Sequence, residues 1–134
     1  MATTGRKPVA RPRFPNHCDL NLCKAVPSLT TVSYTHLIHT VGPVWSSGER
    51  GEPELLANCY RSVFGIAREK GIRSLAFPAI SCGVYRFPVD RAVKIAVAET
   101  VAELISSDAV QKVIFACFGD EIYNAYLREV DKLS

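Results

Sequence analysis

Hydrophobic and polar residues follow a pattern that predicts strands and helices in turn from Tyr34 onward. Residues 34–41 are rich in β-branched and aromatic side chains, which is typical of a strand. Apolar residues then recur at helical spacing over residues 53–70. The apolar segment 72–80 predicts a second strand, which should end near Pro78 because proline has no N–H to donate to a neighbouring strand.

The second half of the chain continues this alternation. Apolar side chains line one face of a predicted helix over residues 88–105, and a last helix is expected over residues 120–132. Between them, residues 112–118 contain a continuous apolar run, as expected of a strand that is covered on both faces. Strand–helix repeats of these lengths predict an α/β fold with a largely parallel sheet and helices packed on its faces.

Residues 1–33 differ from the rest of the chain because they show no clear periodicity. Prolines interrupt any helix or central strand there, at Pro8, Pro12, Pro15 and Pro27. The formal net charge of +3 also derives from this end, since residues 1–36 hold five basic residues against Asp19 alone. We expect an atypical leader over residues 1–33, disordered or non-native, and one domain over residues 34–134. An RNA-binding arm is the alternative for the basic leader.

Composition limits the class of protein. With 134 residues, of which 48% are hydrophobic, the chain suits one small domain with a packed core. It has neither an apolar run long enough to cross a bilayer nor the apolar stretch of a signal peptide. We therefore expect a soluble, cytoplasmic protein without membrane contacts.

The cysteines indicate neither disulfides nor a metal. Their number, five, is odd, and no secretion signal is recognisable, which argues against a disulfide framework. Cys18 and Cys23 lie close together beside His17, but zinc usually takes four ligands and no second short-spaced pair follows. We expect no metal and no cofactor. Cys59 and Cys117 fall on predicted apolar faces and are expected in the core.

The predicted topology directs attention to three loops, since ligands of parallel sheets bind outside the carboxyl ends of the strands. These loops are residues 42–51, 81–87 and 118–121. In the second of them, Gly83 would permit a sharp turn, and the helix that follows begins with several free backbone N–H groups. A phosphate or pyrophosphate is the natural occupant of such a turn, with Arg86 able to add positive charge.

Four segments resemble blocks of the macro domain family, in the same order and at similar spacing. Residues 37–45, Leu-Ile-His-Thr-Val-Gly-Pro-Val-Trp, are similar to its hTVGPxW strand and loop. Residues 54–62 resemble the helix that follows, and residues 74–88 resemble its SxAFPAISTGxYGFP block. Residues 113–118 match its last strand. The resemblance covers residues 37–134 and implies a three-layer α/β/α fold with a mixed sheet, incomplete at its N-terminal end.

This resemblance implies a protein that binds ADP-ribose or its derivatives. The similar proteins include the bacterial type that removes acetyl or ADP-ribosyl groups, so O-acetyl-ADP-ribose and ADP-ribosylated proteins are the implied substrates and partners. The implied diphosphate- and ribose-binding residues are Ser81, Cys82, Gly83, Val84, Tyr85 and Arg86. Phe118, at the end of the last strand, is the implied adenine-stacking residue, with an ordinary core aromatic as the alternative.

Three positions depart from the family pattern. Cys82 replaces the usual Thr, in a loop that is expected to act through its backbone. Gly119 stands where an acidic residue is common. Arg86 replaces the usual Gly. If that position requires a positive φ, arginine would strain the loop by roughly 1 kcal/mol, unless its guanidinium gains a phosphate partner.

The catalytic segment of the family is not recognisable. Neither the Asn-Ala-Ala-Asn segment nor the Gly-rich loop with its catalytic Asp occurs in residues 1–36, where Asp19 and Asn21 are the candidates without recognisable context. The catalytic residues therefore stay unknown. Cys82 with His36 or His39 as a base is a disfavoured substitute, because no spacing rule connects them. The chain is either a fragment with a scrambled beginning, which we favour, or carries a genuine replacement segment.

Two further functions stay open beside hydrolysis of ADP-ribose derivatives. The first is a non-catalytic module that binds ADP-ribose through the loop and Phe118 alone. The second is a generic α/β phosphate-binding domain without preference for ADP-ribose. Comparison of ADP-ribose, AMP and inorganic phosphate as ligands distinguishes them.

Overall fold

A computed structural model describes residues 37–133 in full and the backbone of residues 13–14 and 18–24. Four strands and three helices lie in these ranges. In chain order they are β1 (Arg13–Phe14), β2 (Cys18–Lys24), α1 (Glu52–Lys70), β3 (Ser74–Pro78), α2 (Val89–Ser106), β4 (Lys112–Cys117) and α3 (Asp120–Asp131). None of these helices is both long and apolar enough to span a membrane.

The strands form one mixed sheet in the order β1-β2-β4-β3. β4 pairs in parallel with β2 on one side and with β3 on the other, whereas β1 pairs antiparallel with β2. Phe115 is the partner of Phe77 in the parallel pair β3–β4. The α/β class and the largely parallel sheet predicted from the sequence are confirmed.

Local signals at the helix ends explain why the predicted helix boundaries are close to the observed ones. α1 has its proline within the first two helical positions, where no N–H is required. It ends at Gly71, whose φ of 67° is the left-handed conformation that glycine adopts without a steric penalty. Likewise, β3 ends at Pro78, as expected.

The core lies on one face of the sheet. The ring of Phe77 packs 5.1 Å from Tyr60 and 5.4 Å from Phe64, both of α1. Phe115, which shares its face of the sheet, stacks at 4.5 Å on Tyr126 of α3. Helix α2 contacts both α1 and α3. All three described helices therefore cover the same face, and Cys117 is buried beneath them as predicted. Cys59, in α1, is buried as predicted as well, and its thiol donates to the Val41 carbonyl at 3.2 Å.

The other face of the sheet is more open. Along β3, Ser74, Ala76 and Pro78 are exposed, while along β4 Ile114 and Ala116 are only half-buried. The expectation that the apolar strand is fully covered on both faces is therefore not met: in the part of the chain with described side chains, full burial in β4 is confined to the helix-covered face.

The strand predicted over residues 34–41 is wrong for residues 37–41. Residues 37–41 form no ladder, and residues 34–36 lie outside the described ranges. A groove of about 480 Å³, lined by residues 37–40 on one side and β3 on the other, separates the two segments. β-Branched composition favours a strand only where a neighbouring edge is within hydrogen-bonding distance, and here the edge of β3 is not.

The periodicity also missed β2, which falls in the expected leader. Leu20 and Leu22 alternate there with Asp19 and Asn21, a period of two that is typical of a strand. The nearby prolines flank this segment rather than interrupt it. The backbones of Asp19 and Asn21 lie opposite Lys112 and Ile114, inside a parallel pair of strands. The remaining predictions for residues 1–33, among them a role for His17 and disorder outside β1 and β2, concern residues that lie outside the described ranges.

Candidate functional site

Three loops meet at the carboxyl edge of the sheet, as the topology predicts. The Trp45 N–H donates to the Tyr85 carbonyl at 2.8 Å, and the Trp45 ring lies 4.8 Å from that of Phe87. These contacts join residues 42–51 to residues 81–87. The loop after β4 adjoins them as well, because the charge of Glu121 acts on the Cys82 thiol. The three loops form a single candidate site.

Inside the second loop, tight turns satisfy some backbone N–H groups and leave others without partners. Cys82 donates to the Ala79 carbonyl at 3.3 Å. Arg86 donates to Gly83 and Phe87 to Ser81, each at 3.0 Å. The N–H groups of Gly83, Val84 and Tyr85 have no acceptor among the described residues. Three consecutive free N–H groups in a turn are an arrangement that binds anions.

Two of the three residues that carry these amides are exposed to solvent, and Tyr85 is half-buried. The Val84 side chain is 90% exposed, and Gly83 is exposed as well. A Cβ at Gly83 would meet no atom within 4 Å, so the space beside its backbone is open. Helix α2 begins just beyond, at Val89, and its N-terminal end adds a favourable potential for negative charge.

The strained positions of the loop are not at its glycine. Left-handed φ angles occur at Ser81 (64°) and at Arg86 (58°), whereas Gly83 does not adopt a positive φ. Gly83 was expected to permit a sharp turn, but the turn does not use the left-handed backbone that glycine allows at this position. The conditional expectation for Arg86 is confirmed, because its backbone does adopt the conformation that favours glycine.

Gly42 is a site residue that the sequence patterns did not single out. A Cβ at Gly42 would lie 2.2 Å from Ser81 Oγ and 2.6 Å from Ile80 Cγ2. Only a glycine therefore allows residues 42–43 to approach the beginning of the loop at residues 81–87 so closely. Ser81 is 9% exposed, and its Oγ has no hydrogen-bond partner in the described part of the chain. It is a buried donor at the margin of the anion site.

Glu52 fixes the first of the three loops. Its Oε1 accepts hydrogen bonds from the N–H groups of Ser46, Ser47 and Gly48, and its Oε2 accepts one from Arg50. Hydrogen bonds from backbone N–H groups, its own first, lower the pKa of Glu52 to about 2 despite its burial. The carboxylate therefore organises the turn that follows Trp45.

Cys82 is a poor candidate nucleophile. Burial, and then the charge of Glu121, raise the pKa of its thiol to about 11. The thiol is therefore protonated at neutral pH, and the thiolate is the reactive form. His39 lines the groove beside β3 and has no hydrogen bond to Cys82 within the described ranges. His36 lies outside them.

Phe118 lies at the carboxyl end of β4, where the sheet edge faces the three loops. Its side chain is 56% exposed, so the alternative of an ordinary core aromatic is excluded. An exposed ring at this edge can stack on a base, although its role with adenine stays a prediction.

Metal-binding side chains do not gather at this site. Over the residues whose side chains are described, no group of three or more His, Cys, Asp or Glu residues is placed to hold an ion. The side chains of Cys18 and Cys23 lie outside that set, as does His17.

Comparison with known proteins identifies what this arrangement resembles. A family model described as Macro domain matches residues 13–96. A macro domain-containing protein of Mesorhizobium japonicum is 50% identical over 119 residues, which cover 85% of this chain and 67% of that protein. An O-acetyl-ADP-ribose deacetylase of Klebsiella pneumoniae is 38% identical over 114 residues, which cover 85% of this chain and 62% of the enzyme.

A solved structure agrees with these matches. The Oceanobacillus iheyensis macrodomain with ADP superposes with a TM-score of 0.67 at 36% identity, over 71% of this chain and 50% of that one. The chain thus spans between half and two thirds of the length of the three proteins. The family match begins at residue 13, ahead of residue 37, where the resemblance of the sequence blocks begins.

Proposed function

Because this chain belongs to the macro domain family, we propose that its loop at residues 81–85 binds the diphosphate of ADP-ribose or of an ADP-ribose derivative. One observation carries the proposal: the N–H groups of Gly83, Val84 and Tyr85 are consecutive and without acceptors among the described residues, and the first two of these residues are exposed. The known macrodomain with ADP and the relative named O-acetyl-ADP-ribose deacetylase support the choice of ligand.

The binding chemistry requires no metal. Backbone N–H groups that are already oriented toward a bound phosphoryl group need little reorganisation on binding, so their hydrogen bonds add to affinity. The buried Ser81 hydroxyl, which has no partner in the described structure, supplies a further donor. The exposed ring of Phe118 can stack on adenine. Stacking of a base on an aromatic side chain contributes about 1–3 kcal/mol in comparable sites.

Hydrolysis is a second candidate function, favoured by the deacetylase among the relatives. It requires an activated water, and the protonated Cys82 thiol does not supply a nucleophile. ADP-ribosylated proteins are the corresponding macromolecular partners, since the same diphosphate would then be attached to a polypeptide. Incubation with O-acetyl-ADP-ribose tests this candidate, and release of acetate no faster than in buffer rejects it.

Calorimetric titration tests the binding function directly. ADP-ribose, AMP and inorganic phosphate are compared, and we expect ADP-ribose to bind most tightly because it reaches both the loop and Phe118. Equal affinity for all three ligands would favour a generic anion site instead.

Two variants locate the site. Gly83→Val places a branched side chain in the open space beside the free amides and should abolish binding without loss of the fold. Val84→Ala is the matched control, because it removes an exposed side chain and keeps the amide. Unchanged affinity in Gly83→Val, with the thermal transition of the wild type, would contradict the assignment of the loop.

A further inference from the structure

Arg86 directly follows the three free amides and combines three unusual properties. Its backbone is held in the left-handed region at a φ of 58°, where a residue with a Cβ is strained. Its side chain is exposed. Its guanidinium forms no hydrogen bond or ion pair with the described part of the chain, and its N–H closes the turn onto Gly83.

Several other arginines are engaged with the protein itself. Arg61 pairs with Glu54 and Glu99, Arg68 with Glu103, Arg128 with Asp90, and Arg91 lies over the ring of Trp45. These four side chains are held by acidic or aromatic neighbours, whereas Arg50, Arg73 and Arg86 have no side-chain partner in the described part of the chain. Of these three, Arg86 is the one that directly follows the amides of residues 83–85, so its charge is available to a ligand there.

The charges around the loop give this guanidinium a second effect. Glu121 is exposed and near enough to Cys82 for its negative charge to raise the pKa of that thiol. The same carboxylate repels an anion bound at the adjacent amides. Asp90, at the beginning of α2, is already paired with Arg128. The positive charge of Arg86, the residue next to the three amides in the chain, can offset that repulsion.

We infer that Arg86 extends the amide cradle into a two-part receptor for a pyrophosphate group, in which the amides of residues 83–85 hold one phosphoryl group and the guanidinium holds the next. The inference rests on the proposed function of the loop. A guanidinium binds two oxygens of a phosphoryl group in a fixed fork, whereas a monophosphate held by the amides leaves no second group for it. Arg86 accordingly determines selectivity for pyrophosphate over monophosphate, and the strain of its backbone is retained for that contact.

The test compares inorganic pyrophosphate with inorganic phosphate by calorimetry in the full chain. Arg86→Gly and Arg86→Gln should each lower the affinity for pyrophosphate by about tenfold, as expected for loss of a charge-assisted hydrogen bond. The affinity for phosphate should change by much less. The pyrophosphate affinity of both variants should also depend less on salt, because a charged contact has been removed.

Stability measurements separate this role from a merely structural one. Arg86→Gly should raise the unfolding temperature, since glycine adopts the left-handed φ freely, while it weakens pyrophosphate binding. Arg86→Gln keeps the strain and loses only the charge. Arg73→Gln is the matched control for net charge, because Arg73 is exposed and precedes β3, at the opposite end of that strand. It should bind pyrophosphate like the wild type.

The outcomes distinguish this inference from the proposed function. If the wild type binds pyrophosphate in an Arg86-dependent way but does not bind ADP-ribose, the proposed ligand is wrong and the two-part receptor stands. If ADP-ribose binds and Gly83→Val abolishes binding, while both Arg86 variants keep the wild-type preference for pyrophosphate over phosphate, the receptor inference is overturned alone.

Discussion

Replacement of Gly42 by alanine perturbs the contact between the first two loops of the site. The new Cβ would lie 2.2 Å from Ser81 Oγ and 2.6 Å from Ile80 Cγ2. Unbonded carbon atoms ordinarily approach to about 3.5–4.0 Å, so the two segments must separate by on the order of 1 Å. The Ser81 hydroxyl has no described partner and can rotate away, and Ile80 Cγ2 can shift by rotation of its side chain, but the Ser81 Cβ, at 3.4 Å, moves only with its backbone.

The expected cost follows from that geometry. Overpacking in a well-packed region destabilises by about 1–3 kcal/mol, and we expect about 2 kcal/mol for Gly42→Ala because side-chain rotation relieves only part of the crowding. In a domain of this size that loss lowers the thermal midpoint by roughly 8 °C. Ser81 also shifts relative to the free amides, so the affinity for ADP-ribose should fall with the stability.

Urea unfolding and calorimetric titration measure the two effects. Gly83→Ala is the matched control, since its Cβ meets nothing within 4 Å and its φ is not positive. Its stability should stay within about 0.5 kcal/mol of the wild type. Equal urea midpoints for Gly42→Ala and Gly83→Ala would refute this prediction, because a Cβ at residue 42 would then not destabilise the contact between the loops.

Three further predictions address separate residues. Glu52 has a pKa lowered from 4.5 to about 2, so its contribution is present above pH 4.5 and is lost as the pH falls toward 2. Between pH 4.5 and 2, the thermal midpoint of Glu52→Gln should therefore fall less than that of the wild type. Parallel curves of midpoint against pH for the two proteins would contradict the role of the carboxylate. Gly65→Ala, within α1, should raise the free energy of unfolding by about 0.5–1 kcal/mol, since its Cβ approaches only the flexible Arg68 guanidinium, at 3.8 Å; a lower urea midpoint than that of the wild type would oppose this. Phe118→Ala should weaken ADP-ribose binding and leave pyrophosphate binding and the unfolding transition unchanged, because its ring is exposed; equal losses for both ligands would exclude stacking.

The helices were predictable because their signals are local. A spacing of apolar residues, a proline in the first turn and a glycine after Lys70 define α1 without reference to the rest of the chain. Strands depend on a partner that the pattern does not contain. Residues 37–41 have the composition of a strand but lie across a groove from β3. β2 pairs with β4 although prolines surround it in the sequence.

The location of the candidate site could be predicted from the sequence, but the arrangement of its backbone N–H groups could not. Topology and family resemblance both indicated residues 81–87, and the structure brings the two neighbouring loops against them. Which amides are free depends on the turns closed by Ala79, Ser81 and Gly83 carbonyls, and no residue pattern specifies those turns. The roles of Gly42 and Glu52 depend on contacts between loops, which a single sequence does not display.

Two left-handed residues flank the three amides that have no acceptor among the described residues. Ser81 and Arg86 stand on either side of the three free N–H groups, and each is strained by roughly 1–2 kcal/mol. A free loop would relax that strain by rotating its peptide groups apart. Here the Gly42 contact holds one end, and the hydrogen bond from Trp45 to Tyr85 holds the other. The neighbouring loop therefore holds both ends of residues 81–86, so we expect the anion binding proposed for this loop to depend also on Gly42 and Trp45.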